Sequence, residues 1–199
     1  MRHHGTGIMK TARLLLRPFQ PEDADGMLRN WASDPAVQHE YGEPAYESPE
    51  AVQTLLTAYL AGYDRPDFYR WAITERESGQ CIGQIAFCRV YDDMRTAEIE
   101  YCIGKAFQGN GYAGEALSAV IADTFARTEF ERLEAYHRAE NLRSGRVLQK
   151  SCMHQTETVE RFVRAGKPPE GEVCFCITRA EFRQMQSGSR TELHDLRTP

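Results

Sequence analysis

A short segment with two glycines, Gln108-Gly109-Asn110-Gly111-Tyr112-Ala113, has the residue types needed to bind an anion. It follows a strand-like run from Ala97 to Ile103 and opens a helix-like run from Tyr112 to Arg127. The first amides of a helix have no partner within the helix and lie at the positive end of its dipole, so they can hold a phosphate. Glycine lets the backbone approach closely and adopt a positive φ. We therefore predict a phosphate site made of backbone amides.

The spacing of this segment differs from two familiar phosphate-binding patterns. The dinucleotide fingerprint reads G-x-G-x-x-G, and the P-loop reads G-x-x-x-x-G-K-[ST]. Here the order is Q-x-x-G-x-A, and no lysine follows. The segment is therefore predicted to bind a different kind of phosphate ligand.

Two glutamates lie in the strand that leads into the segment. Period-two alternation gives one face with Glu98, Glu100 and Cys102 and another with Ile99, Tyr101 and Ile103. A strand before a ligand-binding turn is usually central, and a carboxylate buried there needs a partner or a chemical task. We predict acid–base chemistry for the two glutamates. The alternatives are a solvated strand face and an ordinary ion pair with an arginine.

A second polar cluster follows a strand-like run from Arg132 to His137. A helix-like run then extends to about Lys150, with Asn141 placed as its N-cap and Ser144 one turn later. Capping alone would account for Asn141.

These two clusters resemble the two signatures of the GNAT family of N-acetyltransferases and occur in the family's order. The acyl-CoA pyrophosphate loop of that family reads [QR]-x-x-G-x-[GA], which is matched by Gln108, Gly111 and Ala113. The second signature, R-x-E-A, N-x-x-S and V-L-x-K, is matched between Arg132 and Lys150.

The start of the chain resembles the subgroup that acetylates the N-termini of ribosomal proteins. Thr11 to Phe19 and Pro21 to Ala24 are similar to its first strand and first helix start, and residues 97–101 match its A-E-I-x-Y. The resemblance covers roughly Thr11 to Arg183. The chain departs from the family's K-x-G-F at residues 150–153, Lys-Ser-Cys-Met, and so lacks the glycine that usually ends the helix.

The resemblance implies an α+β GNAT fold: a mixed, mostly antiparallel central sheet of about six or seven strands, flanked by about four helices, with a splay between the two central strands. The patterning also indicates an α+β domain. We predict strands at 12–19, 70–75, 81–91, 97–103, 132–138, 155–163 and 172–178, and helices at 22–32, 49–60, 112–127 and 141–150, with a loop at 34–48. Residues 1–10 would be an N-terminal extension, 11–186 the acetyltransferase domain and 187–199 a flexible tail.

The resemblance also implies the chemistry, which is transfer of acetyl from acetyl-CoA to a primary amine by direct attack through a tetrahedral intermediate. Glu98 would be the base, with Glu100 as a second candidate or as the anchor of a cationic acceptor. The backbone of Tyr101 and Ile103 would bind pantetheine and polarise the thioester. Gln108, Gly109, Asn110, Gly111, Tyr112 and Ala113 would hold the pyrophosphate. Asn141 and Ser144 would bind pantetheine, and Ser144 could protonate the leaving thiolate.

The acceptor is not identified by the sequence. Specificity would lie in the loop His39 to Pro44 and in aromatic residues; we select Trp31, Tyr41 and Trp71 as substrate contacts, with Tyr69 as a further candidate, although each could instead be a core residue. The subgroup likeness favours an N-terminal α-amine of a protein or peptide. A small amine, such as an amino acid, polyamine or antibiotic, is the closest alternative, and a non-catalytic acyl-CoA sensor is another.

Composition limits the remaining possibilities. The 199 residues fit one domain, and a net charge of −5 argues against nucleic acid as a partner. No apolar run is long enough to span a membrane and no secretory signal is visible, so we expect a cytoplasmic protein, monomeric or homodimeric. The six cysteines and six histidines show no metal-binding spacing, so no metal is predicted.

Overall fold

The computed structural model describes the backbone of residues 1–195 and the side chains of residues 1–188. Within these residues one sheet contains eight strands: β1 Met9–Lys10, β2 Leu14–Arg17, β3 Arg70–Glu75, β4 Cys81–Tyr91, β5 Thr96–Ile103, β6 Arg132–Arg138, β7 His154–Thr156 and β8 Glu172–Thr178. Their order is β1-β2-β3-β4-β5-β6-β8-β7, and every neighbouring pair is antiparallel except β5–β6.

Seven α-helices occur in the described backbone: α1 Ala24–Met27, α2 Pro35–Tyr41, α3 Pro49–Gly62, α4 Tyr112–Arg127, α5 Leu142–Gln149, α6 Glu160–Ala165 and α7 Arg179–Asp195. A 3-10 turn, Pro21–Asp23, precedes α1, and a π-helical turn, Leu28–Ala32, follows it. The predicted α+β fold is confirmed, with more short elements than the sequence indicated. None of the helices in the described region is long and apolar enough to cross a bilayer.

Each face of the sheet carries an apolar core because successive strand residues point to opposite sides. Trp71 and Ile99 belong to the core that packs against Leu117 and Ile121 of α4. The other core includes the strand residues Ala72 and Cys102 and the helical residues Met27, Trp31, Val52 and Leu56. The helices before β3 therefore cover one face, and α4 covers the other.

The parallel pair β5–β6 is short, and this creates the predicted splay. Its register is Thr96 with Arg132, Ala97 with Leu133 and Glu98 with Glu134, and it stops there. Beyond Glu98, β5 continues to Ile103 beside β4, while β6 continues to Arg138 beside β8. A gap consequently opens between the two strands toward their C-terminal ends.

Two local predictions were wrong. Residues 34–48 contain α2 rather than only a loop: Asp34 accepts the amides of Ala36 at 2.9 Å and Val37 at 3.2 Å, and Gly42 ends the helix in the left-handed region. Residues 155–163 do not form a strand, since β7 ends at Thr156 and α6 begins at Glu160.

The two ends of the chain also differ from the expectation. Residues 1–10 include β1, and the Gly7 carbonyl accepts the indole N–H of Trp71 at 2.7 Å, so this extension packs against the sheet. Helix α7 includes residues 187–195 of the segment that we expected to be a flexible tail, and residues 196–199 lie outside the described part. The division at residue 186 stays a prediction.

The departure from the family motif after α5 has a structural substitute. Ser151 Oγ donates to the Leu148 carbonyl at 2.7 Å and accepts the Met153 amide at 3.0 Å. Lys150 ends the helix with φ −89°, so no left-handed residue is needed there. The serine side chain closes the turn that glycine forms elsewhere in the family.

Candidate active site

The glycine segment forms the predicted set of free amides at the start of α4. Gly109 and Gly111 have φ of +83° and +81°, which favours glycine. The first helical bond runs from the Glu115 amide to the Gly111 carbonyl at 3.1 Å. Among the described residues, no acceptor is found for the amides of residues 109–114. A Cβ at Gly109 or Gly114 would meet nothing within 4 Å, so these amides are open to a ligand.

The side chain of Gln108 supports this loop from within the protein. Its Nε2 donates to the Ile103 carbonyl at 2.9 Å, and its Oε1 accepts from Arg143 Nη1 at 2.7 Å. Gln108 therefore joins the end of β5 to α5. The Ile103 carbonyl is already used in this contact, which differs from the free backbone group that we expected.

The main chain of Tyr101 faces the gap beside β5. Cys88 Sγ of β4 lies 3.4 Å from the Glu98 carbonyl, so the backbone groups of Glu98 point toward β4. Strand residues point their backbone groups alternately to either side, so Ile99, Tyr101 and Ile103 point toward β6. Since the β5–β6 ladder stops at Glu98, the backbone groups of Tyr101 have no strand partner on this side.

Two hydroxyl groups meet on the helical side of the gap. Tyr101 OH lies 2.9 Å from Ser144 Oγ and 3.3 Å from the Ser144 carbonyl. Burial raises the pKa of Tyr101 to about 12, which keeps its proton in place at neutral pH. Asn141 is the N-cap of α5, with Oδ1 accepting the Ser144 amide at 3.0 Å, and it lines the same cleft.

Glu98 is almost fully buried, with 1% of its surface exposed. Its Oε1 accepts from Arg89 Nη1 at 2.6 Å and lies 3.2 Å from Cys88 Sγ. Its Oε2 is buried and has no hydrogen-bond partner among the described residues. An unpaired carboxylate oxygen is costly in a protein interior, so this atom has the capacity for a further hydrogen bond.

Glu100 lies in a polar network that the sequence did not reveal. Its Oε1 accepts from Tyr41 OH at 2.5 Å and from Arg70 Nη2 at 2.8 Å. Arg70 also donates to Gln84 at 2.7 Å and stacks on the ring of Tyr59 at 4.2 Å. Burial, followed by the nearby charge of Glu100, raises the pKa of Tyr41 well above its usual value. Glu100 is therefore held by two donors.

The three aromatic residues predicted to contact substrate occupy different places. Tyr41 lines the cleft. Trp31 and Trp71 are 1% and 2% exposed and belong to the two apolar cores, and Tyr69 is also a core residue. None of these three lines the cleft, because a large ring on the inward side of its element packs inside. Of the selected aromatic residues, only Tyr41 is thus in position to meet an acceptor.

One cleft of about 1540 Å³ joins these groups. Its lining includes Lys105, just before the amide loop, and the cations Arg143, Arg146 and Lys150 in and directly after α5, of which Arg143 bonds the loop residue Gln108. Residues 143, 146 and 150 have the spacing of one helix face. Within the described residues no cluster of His, Cys, Asp and Glu could hold a metal ion.

The sequence did not predict three residues that contact the two glutamates or their partners, namely Arg70, Gln84 and Arg89. The register would have revealed the first of them, because Arg70 lies opposite Ala86 and Ala86 lies opposite Glu100. Strand pairing was not fixed by the sequence alone.

Comparison with known proteins agrees with this geometry. Residues 13–154 match the family described as "Acetyltransferase (GNAT) domain". The chain is 28% identical to the uncharacterized N-acetyltransferase YoaA of Bacillus subtilis strain 168, over 86% of this chain and 97% of that protein. It is 30% identical to the uncharacterized N-acetyltransferase p20 of Bacillus licheniformis, over 69% of this chain and 77% of that protein.

A solved structure extends the likeness to the whole fold. The structure of a putative ribosomal-protein-serine acetyltransferase from Vibrio cholerae superposes with a TM-score of 0.71 at 24% identity, over 86% of this chain and 97% of that chain. The amide loop, the splayed strands and the family match lead to one conclusion. The chain belongs to the GNAT family of N-acetyltransferases.

Proposed function

We propose that this protein transfers acetyl from acetyl-CoA to the N-terminal α-amine of a protein or peptide. The observation that carries the proposal is one cleft lined by the free amides at the start of α4, by Tyr101 on the open edge of β5 and by Glu98, whose buried Oε2 has no partner among the described residues. Phosphate, pantetheine and amine would each find a group of matching chemistry along this cleft.

The residues at the phosphate end fit coenzyme A. The amides of residues 109–114 would bind the diphosphate, supported by the positive end of the α4 dipole and by nearby cations. The free backbone groups of Tyr101 would pair with the pantetheine arm beside β5. Acetyl-CoA would supply the activated acyl group as a thioester.

The chain's own side chains would handle the two protons of the reaction. Glu98 Oε2 would accept a proton from the acceptor amine, directly or through a water molecule. Ser144 Oγ, paired with Tyr101 OH, would donate a proton to the leaving sulfur. Glu100 would act on the acceptor side as an anchor, because Tyr41 and Arg70 already occupy its Oε1.

The acceptor must be neutral to attack, and this favours an α-amine. Neutralising a lysine amine of pKa ~10.4 at pH ~7.4 costs about 4 kcal/mol, whereas an α-amine of pKa ~7.8 needs less than about 1 kcal/mol. Glu98 is a single base with one unpaired oxygen, which suits the smaller free-energy cost of neutralising an α-amine. The name of the Vibrio cholerae structure, a putative ribosomal-protein-serine acetyltransferase, gives further support.

A thiol-release assay with acetyl-CoA tests the proposal. Acceptors should include a peptide with a free α-amine, the same peptide blocked at that amine but carrying lysine, free amino acids and polyamines. Release on the free peptide alone is the expected result. Thiol release only with small amines would show that the acceptor is a small amine instead of a peptide. Coenzyme A binding without thiol release on any acceptor would favour a non-catalytic sensor.

The role of Glu98 needs its own comparison. Glu98→Gln should lower kcat by about 100-fold, because loss of a general base typically costs that much or more. Glu77→Gln, at an exposed glutamate in the turn before β4, is the matched control and should leave kcat unchanged. A Glu98→Gln variant with full activity would remove Glu98 as the base.

A further inference from the structure

An ion-paired cluster of Thr11, Arg13 and Glu115 lies beside the amide loop, and its central residue, Arg13, is not part of the cleft lining. Arg13, just before β2, donates through Nη1 to the Asn110 carbonyl at 2.9 Å. Its Nε and Nη2 both lie 2.7 Å from Glu115 Oε2. The other oxygen, Glu115 Oε1, accepts the Arg13 amide at 2.9 Å and Thr11 Oγ1 at 2.5 Å.

The contact with Asn110 bears on the direction of the next amide. The carbonyl of Asn110 and the N–H of Gly111 belong to one planar peptide group, in which they point in opposite directions. Since the carbonyl points toward Arg13, the Gly111 N–H points away from Arg13. Arg13 does not line the cleft, whereas Gly111 does.

The contact with Glu115 bears on charge. Glu115 lies in the first turn of α4 and lines the cleft, so its carboxylate shares the helix end that would hold a diphosphate. A negative side chain there favours the helix but repels an anionic ligand. Hydrogen bonds from Thr11 and Arg13 lower the pKa of Glu115 despite its partial burial, so it is charged at neutral pH. The guanidinium of Arg13 balances that charge.

We propose that Arg13 is a positioning residue for coenzyme A: it orients the Gly111 amide and neutralises Glu115, so that the start of α4 accepts a diphosphate. Tyr112 supports Arg13, because the guanidinium of Arg13 stacks on the Tyr112 ring at 4.7 Å. The Tyr112 hydroxyl in turn donates to Glu75. This inference rests on the proposed acetyl-CoA site and assigns a task to the Thr11-Ala12-Arg13 motif, which the proposed chemistry does not use.

Calorimetric titration with coenzyme A tests the inference without relying on turnover. Arg13→Met should raise the Kd for coenzyme A about tenfold, which is the order expected for losing one charge-assisted contact. Arg13→Lys should bind with an intermediate Kd. In steady-state assays the KM for acetyl-CoA should rise, while kcat and the KM for the acceptor stay unchanged.

Two further variants separate charge balance from a general loss of structure. Arg76→Met is the matched control: Arg76 donates to the carbonyls of Thr11 and Ala12 at 2.8 and 3.0 Å but makes no described contact with Asn110 or Glu115, so the Kd should stay unchanged. Adding Glu115→Gln to Arg13→Met removes the unbalanced charge, so the double variant should recover part of the affinity lost by Arg13→Met alone.

Each outcome decides one question. If wild-type protein does not bind coenzyme A, the proposed function fails together with the inference. If wild-type protein binds and Arg13→Met binds equally well, only the inference is overturned. It is also overturned if Arg76→Met weakens binding as much as Arg13→Met, or if the double variant recovers nothing, since either result indicates a merely structural effect. Thermal unfolding of each variant without ligand verifies that it is folded.

Discussion

Tyr101 OH on β5 lies 2.9 Å from Ser144 Oγ on α5, so one hydroxyl from the sheet and one from the helices meet at the gap between β5 and β6. This pairing orients the serine hydroxyl. It also gives the proposed proton donor a buried partner that keeps its own proton, since the pKa of Tyr101 is raised to about 12.

Removal of the serine hydroxyl should slow the chemical step. Ser144→Ala should lower kcat about 100-fold, because positioned acid catalysis usually contributes at least that factor. Ser118→Ala is the control, since Ser118 lines the same cleft from α4 and makes no described hydrogen bond. Steady-state kinetics of both variants measure this difference. An unchanged kcat in Ser144→Ala would contradict the role of Ser144 as the proton donor.

The buried tyrosines make stability sensitive to alkali. Burial raises the pKa values of Tyr59, Tyr63 and Tyr101 to about 12. The folded protein retains these protons while the unfolded chain loses them near pH ~10, so the free energy of unfolding should fall from about pH 10 to about pH 12. Urea unfolding at several pH values measures this. Tyr101→Phe should make the decline shallower, and a constant stability over this window would count against the buried placement.

The Glu100 network should contribute strongly to stability. Arg70→Met leaves Glu100 and Gln84 without their main donor in a largely buried place, and we expect a loss of about 3 kcal/mol in the free energy of unfolding. Arg65→Met removes an exposed pair with Asp67 and should cost less than about 0.5 kcal/mol. Urea unfolding of both variants measures the two losses of free energy of unfolding. Equal losses would show that the Glu100 network stabilises the protein no more than an exposed ion pair does.

The serine turn after α5 predicts a smaller effect. Ser151→Ala removes the bonds to the Leu148 carbonyl and the Met153 amide, and should destabilise the protein by about 1–2 kcal/mol. Thermal unfolding compared with Ser118→Ala measures the difference. No difference would mean that the turn is held by packing of Met153 and its neighbours instead.

The sequence was sufficient to predict the bounds of elements whose pattern is long and local. The strands Arg70–Glu75 and Cys81–Tyr91 and the helix Tyr112–Arg127 have the predicted bounds. The strands are mainly apolar runs that end at turn residues, and the helix keeps its periodicity throughout. The start of α7 also had a local signal that we did not use: Thr178 and Glu181 form a reciprocal cap, with the Thr178 amide 2.8 Å from Glu181 Oε2.

Other features depend on contacts between distant residues. Helix α6 begins where the Glu160 amide donates to Glu134 Oε2 on β6 at 2.8 Å. Since Glu134 is distant in sequence, no local pattern predicts this contact. In the candidate site, the glycine loop, Glu98 and Ser144 could be chosen from motifs. The Arg70 and Arg89 contacts could not, because they depend on strand register and on the bulge beside Cys88.

The shortness of the β5–β6 ladder has a mechanical consequence. The β5–β6 ladder of the described residues has three residue pairs, so the two halves of the sheet share few strand-to-strand backbone bonds. A pantetheine arm lying along Tyr101 would act as an added strand beside β5. The co-substrate would then supply part of the sheet pairing that the protein itself lacks beyond Glu98.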